Sequence, residues 1–166
     1  MRGEDELNRA IDLYSDTVKR ICLIHLKNEA DTEDIFQTVF LKYILSSVVF
    51  ESAEHEKAWI IRVTINACKD LLKSFFRTHT VPLEEIHEQI AAVSSDREGE
   101  VLEAVLRLPE KYRQVIYLHF YEGYTAPQIS EMLGKNVNTV YTCIQRGKQQ
   151  LKAEFGGEDD ADTAGN

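Results

Sequence analysis

Two helical stretches of this chain carry side chains chosen for nucleic acid, and neither carries the groups of an enzyme. In the segment 59–77, Trp59, Arg62, Asn66, Lys69, Lys73 and Arg77 recur at steps of three and four residues. At 100° per residue they fall on one narrow face, opposite a wide apolar arc of Ile60, Ile61, Val63, Thr64, Ile65, Ala67, Cys68, Leu71, Leu72 and Phe75. An aromatic ring with cations and an amide suits single-stranded DNA, by stacking on bases and neutralising phosphates. An ordinary solvated face would mix in acids, and only Asp70 stands at its edge. By itself, Trp59 fits equally well as a packed anchor between helices.

The second stretch is VNTVYTCIQRGKQQLKAEF, where Val137, Val140, Ile144, Gly147 and Leu151 form one buried stripe. The opposite surface holds Asn138, Tyr141, Thr142, Gln145, Arg146, Lys148, Gln149 and Lys152, all donors or cations and no carboxylate. Such a face fits the major groove. Upstream, Thr125 can cap a short helix, APQISEML, that ends at Gly134, and Asn136 can cap the helix that follows. Two helices joined by a short glycine-containing turn read as a helix-turn-helix.

The net charge of −9 seems to argue against nucleic acid, but the charges are segregated. Residues 57–80 sum to +4 and residues 135–152 to +4, whereas 1–56 sum to −6, 81–103 to −6 and 153–166 to −5. Blocks of opposite sign imply separate surfaces for separate partners.

Other functional classes are excluded by what is missing. His25, His55, His79, His87 and His119 are scattered, without HExxH, a phosphate loop or a nucleophile elbow, so no catalytic residue, cofactor or small-molecule substrate is expected. Cys22, Cys68 and Cys143 lie far apart with no CxxC pair, which predicts buried thiols and no metal site or disulfide framework. No apolar run is long enough for a membrane span, and the N-terminal stretch carries acids where a secretory signal needs an apolar core. A cytoplasmic location is therefore expected.

The positioning elements are all helices. The pattern predicts helices over about Glu4 to Lys27, from a cap at Asp31 or Thr32 to about Val48, and over about Glu56 to Arg77, with a polar loop at 49–56. In the second of these, Ile35, Phe36, Val39, Phe40 and Tyr43 form a core face, while Asp34, Gln37, Thr38, Leu41 and Leu45 share another. The stranded leucines suit a protein partner or packing on the first helix. Periodicity breaks around Pro82, resumes at about Arg97, and Pro109 opens a helix running to Gly123. The expected fold is all-α, with two small helical domains (1–77 and 97–155), a flexible linker (78–96) and a disordered acidic tail (156–166).

DTEDIFQTVFLKYI followed by EKAWIIRVTINACKDLLKS resembles domain two of the sigma-70 superfamily, in its extracytoplasmic-function (ECF) subgroup. LPEKYRQVIYLHFYEGYTAPQISEMLGKNVNTVYTCIQRGKQQL resembles domain four of the same subgroup. The resemblance implies an alternative sigma factor that binds core RNA polymerase and directs promoter-specific initiation. It implies that Asp34, Gln37, Thr38 and Leu41 dock on the β′ clamp helices. Phe50 in the 46–56 loop, with Trp59, Arg62, Asn66, Lys69 and Lys73, would hold the melted −10-type element. Asn138, Thr139, Tyr141, Thr142, Gln145, Arg146 and Lys148 would read the −35-type duplex, with domain four on the β flap. The linker would thread toward the active-site channel, and an anti-sigma factor would be a further partner.

The sequence departs from the subgroup in three places. The recognition helix reads TVYTCI where TVKSRL is common, Thr38 replaces an acid, and LLKSFFR replaces an arginine run. The alternative reading is a stand-alone helix-turn-helix regulator whose N-terminal helices dimerise or sense a ligand. It leaves the basic face of 59–77 unexplained.

Overall fold

The computed structural model describes residues 1–26, 29–75, 90–92 and 96–155. The expected linker centre, Arg77 and the acidic tail lie outside them. The described residues contain helices and no strand. The chain divides into two compact units, Met1–Ser95 and Asp96–Asn166.

In the first unit, α1 (Glu4–His25), α2 (Glu29–Leu45) and α3 (Ala53–Phe75) pack against one another. Glu4, Asp5 and Glu6 crowd the first turn of α1, where the helix dipole favours anions. Its apolar stripe supplies Ala10, Tyr14, Val18 and Cys22 to a core shared with Ile35, Val39, Phe40 and Tyr43 of α2 and Ile60, Ala67 and Cys68 of α3. Thr64 is fully buried in this core because its hydroxyl donates to the Ile60 carbonyl, 2.7 Å away.

Two helix starts differ from expectation. α2 begins before the expected caps, so Asp31 and Thr32 are buried residues of its first turn rather than exposed N-caps. α3 begins at Ala53, where the Ser52 hydroxyl accepts the His55 N–H at 3.0 Å. That start lies three residues ahead of the expected one and carries Glu56 into the helix. α2 ends at Leu45, leaving 46–52 as the connecting loop.

The second unit contains α4 (Asp96–Leu106), α5 (Glu110–Ile116), α6 (Ala126–Leu133) and α7 (Val137–Phe155). α7 packs on α4, α5 and α6. The helix opened by Pro109 does not stay α-helical to Gly123: residues Tyr117–Tyr121 widen into a π-helical turn, and the Glu122 N–H reaches back to Tyr117 O at 3.2 Å. Periodicity alone does not distinguish that turn. Gly123 then takes φ 84° and ends the segment.

The turn between α6 and α7 follows its sequence closely. Thr125 and Gln128 form a reciprocal capping box, and Gly134 closes α6 in the left-handed conformation at φ 65°. The Asn136 side chain accepts the Asn138 N–H at 2.8 Å and caps α7. Gly147 is buried where α7 meets α5, and a Cβ there would overlap Cγ1 and Cδ1 of Ile116. All three cysteines are free and buried, as expected for core thiols.

Candidate nucleic-acid and polymerase interfaces

On α3, Arg62, Asn66 and Lys73 are exposed and Lys69 is half-buried, while Ile60, Ile61, Thr64, Ile65, Ala67 and Cys68 face the core. At 1.5 Å per residue, Arg62 and Lys73 stand about 16 Å apart along the helix. The stripe is therefore a line of cations with one amide, long enough to follow several nucleotides of a single strand.

Trp59 does not stand free on that line. It is half-buried, edge-on to Phe50 at 5.6 Å and to Tyr43 at 6.1 Å between ring centroids. Of the two sequence-based readings for Trp59, the geometry matches a packed anchor. Phe50 stacks parallel to Tyr43 at 6.2 Å and meets the His55 ring edge-on at 5.3 Å. The aromatic cluster thus joins the 46–52 loop to the first turns of α3.

Beneath the cluster lies a buried carboxylate. Glu56, 5% exposed, accepts hydrogen bonds from the Tyr14 hydroxyl (2.8 Å), the Tyr43 hydroxyl (2.9 Å) and the Arg9 guanidinium (2.8 Å). Burial alone would raise its pKa, but the three donors and the charge of Arg9 outweigh it and hold the carboxyl below its ordinary value. Burial and the bond to Glu56 push both Tyr14 and Tyr43 up to about 12. Neither Glu56 nor Arg9 is a sequence-predicted site residue. The available signal is positional: Glu56 lies four residues before Ile60, so projecting the buried arc backwards places an acid on it.

α2 presents Asp34, Gln37, Leu41 and Leu45 to solvent, with Thr38 half-buried. Leu41 is 58% and Leu45 62% exposed, so neither leucine is covered by α1. The Thr38 hydroxyl is turned to its own helix, donating to Asp34 O at 3.0 Å.

On α7, Asn138, Thr139, Tyr141, Thr142, Gln145, Arg146 and Gln149 are exposed, and Lys148 and Lys152 are half-buried. The first turns of this helix border a groove of about 410 Å³, lined by Asn138, Thr139, Thr142 and Arg146 and, from outside the helix, by Lys111 and Lys135. Those two lysines extend the basic surface beyond the recognition helix. Cys143, one of the two departures in TVYTCI, is buried, with its thiol directed at the Lys111 carbonyl at 3.6 Å. It is a packing residue between α7 and α5, and of the two replaced positions Tyr141 is the one on the open face.

Family comparison agrees with both units. A model described as Sigma-70 region 2 matches residues 10–77, and one described as Sigma-70, region 4, matches residues 98–151. The ECF RNA polymerase sigma factor SigW of Bacillus subtilis is 26% identical over 168 residues, covering 92% of this chain and 90% of that protein. RNA polymerase sigma factor SigV of the same organism is 27% identical, covering 84% of this chain and 85% of its own length. The ECF RNA polymerase sigma factor SigE of Mycolicibacterium smegmatis is 29% identical over 92% of this chain, which spans 61% of that protein. In fold, the chain is similar to CnrH, solved in complex with the cytosolic domain of CnrY. The TM-score is 0.60 at 21% identity, over 97% of this chain and 92% of that one.

The chain belongs to the sigma-70 family, in its ECF group. It is an alternative sigma factor that directs transcription initiation. A stand-alone helix-turn-helix regulator has no reason to match region 2 across the whole of α2 and α3. Among the described residues, no helix is long and apolar enough to cross a membrane.

Proposed function

We propose a division of labour among three surfaces of this sigma factor. The outward face of α2, with Asp34, Gln37, Thr38 and Leu41, docks on the β′ clamp helices of core RNA polymerase. The 46–52 loop with Phe50 and Trp59, and the α3 stripe of Arg62, Asn66, Lys69 and Lys73, hold the opened strand of a −10-type element. The α7 face of Asn138, Thr139, Tyr141, Thr142, Gln145, Arg146 and Lys148 reads a −35-type duplex while the second unit rests on the β flap. Residues 1–77 and 97–155 act as the two domains, 78–96 as the tether and 156–166 as a solubilising tail. The site of action is the cytoplasm, where core polymerase works.

The observation that carries this reading is the pairing of two acid-poor, cation-rich faces on separate units. One borders an aromatic cluster suited to unstacked bases, and the other borders a groove at a helix start suited to phosphates and base edges. Strand opening would come from binding energy gained on the flipped bases, which offsets a few kcal/mol of unstacking. The exposed leucines of α2 also suit an anti-sigma partner that competes with polymerase for the same face.

The test is transcription in vitro with purified core enzyme, mapping starts across genomic DNA. The reading requires that the protein associate with core polymerase and impose a defined set of starts. Failure of either step ends it. Leu41→Glu is expected to lower core association at least tenfold, because a carboxylate would be buried in an apolar contact.

A further inference from the structure

Arg2 was singled out by nothing in the sequence, yet it holds the loop assigned above to the opened strand. Its backbone N–H donates to Ile44 O at 2.9 Å and its Nε to Tyr43 O at 3.0 Å. Both carbonyls belong to the last turn of α2, where helix carbonyls lack intrahelical donors and a cation opposes the dipole's negative end. The other arm of the guanidinium donates to Val48 O, in the middle of the loop. The same group lies 4.8 Å from the Tyr43 ring centroid and 4.8 Å from that of Phe50. Glu6, one helical turn away, orients it from the other side at 3.3 Å. The Arg2 side chain is 13% exposed, so the fork is buried in this arrangement.

The loop's own bonds are short-range: Ser46 N–H to Tyr43 O at 3.2 Å, Val48 N–H to the Ser46 hydroxyl at 3.1 Å, and Glu51 N–H to His55 Nδ1 at 3.1 Å. These fix its ends and one turn, but not its distance from α1. Arg2 supplies that distance and forms one wall of a depression of about 570 Å³ that also touches Glu6, Arg9, Phe50 and Glu56.

We propose that Arg2 is a positioning residue for promoter selectivity: its planar guanidinium ties the end of α2 to the 46–52 loop and stacks on Phe50, setting the loop's geometry for the opened strand. This rests on the reading of the loop given above. A lysine could supply the charge but not the fork that reaches Tyr43 O and Val48 O together.

The experiment uses the full-length protein with core polymerase and a promoter library randomised over the −10-type element. The readout is the transcript ratio of preferred to singly substituted promoters. Arg2→Ala is expected to reduce that ratio about tenfold, the factor carried by one lost charge-assisted contact, with core association and the unfolding midpoint little changed. Arg2→Lys is expected to recover less than half of the loss. In the free protein, Trp59 is the one tryptophan and touches Phe50, so its fluorescence reports loop position. Arg2→Ala should increase its quenching by acrylamide.

An unchanged ratio for Arg2→Ala, full rescue by lysine, or a loss matched by equal loss of core association would each overturn the proposal. Phe50→Ala in the same library separates the two levels. If Phe50→Ala leaves selectivity intact, the reading of the loop itself fails. If Phe50→Ala lowers selectivity and Arg2→Ala does not, the role of Arg2 alone is lost.

Discussion

The two basic faces of this sigma factor are built in opposite ways. The recognition helix α7 is set by short-range devices: the capping box Thr125–Gln128, the left-handed Gly134 and the Asn136 cap all act within a few residues. The loop and α3 face of the first unit is set by bonds that span 41 to 47 residues, from Arg2 to Tyr43 and Val48 and from Tyr14 and Arg9 to Glu56. A locally specified helix keeps its direction when its surroundings change. A face held by distant donors depends on each of them, and substitutions far away in sequence should reach it.

The comparison is broken most severely by attacking the one tight long-range contact of the second unit. Gly147→Leu would drive a side chain into Ile116, and overpacking of this kind costs about 3 kcal/mol. Chemical denaturation should show that loss, and duplex binding by the second unit should fail while core association through α2 persists. Stability equal to the parent protein would mean that α5 and α7 are not packed as described.

In the first unit, Glu56→Ala removes the acceptor for three donors and should cost about 3 kcal/mol. Arg9, which is 49% exposed, should contribute less, about 1 kcal/mol or below when replaced by alanine. The pH dependence follows from the same groups. The Glu56 carboxyl is held below its unfolded value of about 4.3, so its contribution is present above that pH and lost as pH falls through the lower, folded value. Tyr14 and Tyr43 are raised to about 12, so their contribution is intact below about pH 10 and lost as pH rises through 12. Urea midpoints should decline at both extremes, and Glu56→Gln should flatten the acid limb. An acid limb identical to that of the parent would contradict the network.

The functional contrast is sharpened by charge removal. Arg62→Ala with Lys69→Ala should slow open-complex formation about tenfold while leaving polymerase association intact, since each exposed contact to an opened strand is worth about 1 kcal/mol. Permanganate reactivity of promoter thymines should fall in parallel, and unchanged reactivity would remove α3 from strand opening. Arg146→Ala should instead weaken promoter binding and reduce the salt slope by about one, the mark of one phosphate contact. The smallest effect belongs to the local caps: Thr125→Ala should cost about 1 kcal/mol without changing which promoters are chosen.

Much of this was legible in the residues. The α7 stripe, its caps and its donor-rich face follow from spacing, because helix geometry places every third or fourth residue together whatever the surroundings. The α3 arc followed in the same way, with Ile60, Ile61, Thr64 and Ile65 buried and Arg62, Asn66 and Lys73 outside. Asp31 and Thr32 were mistaken for caps because their residue types favour that position, and burial in the first turn overrode the preference. The π-helical turn at Tyr117–Tyr121 is closed by backbone bonds on which side-chain period has no hold.

Sequence by itself determined the helical fold, its division into two units and the segregation of charge into separate faces, since all three arise from local period and composition. Tertiary structure decided that Glu56 is a buried acceptor, that Trp59 and Phe50 share one cluster, that Cys143 is a packing residue, and that Arg2 closes the end of α2. Each of these is a meeting of groups distant along the chain, and such meetings are chosen by packing and desolvation rather than by neighbouring residues.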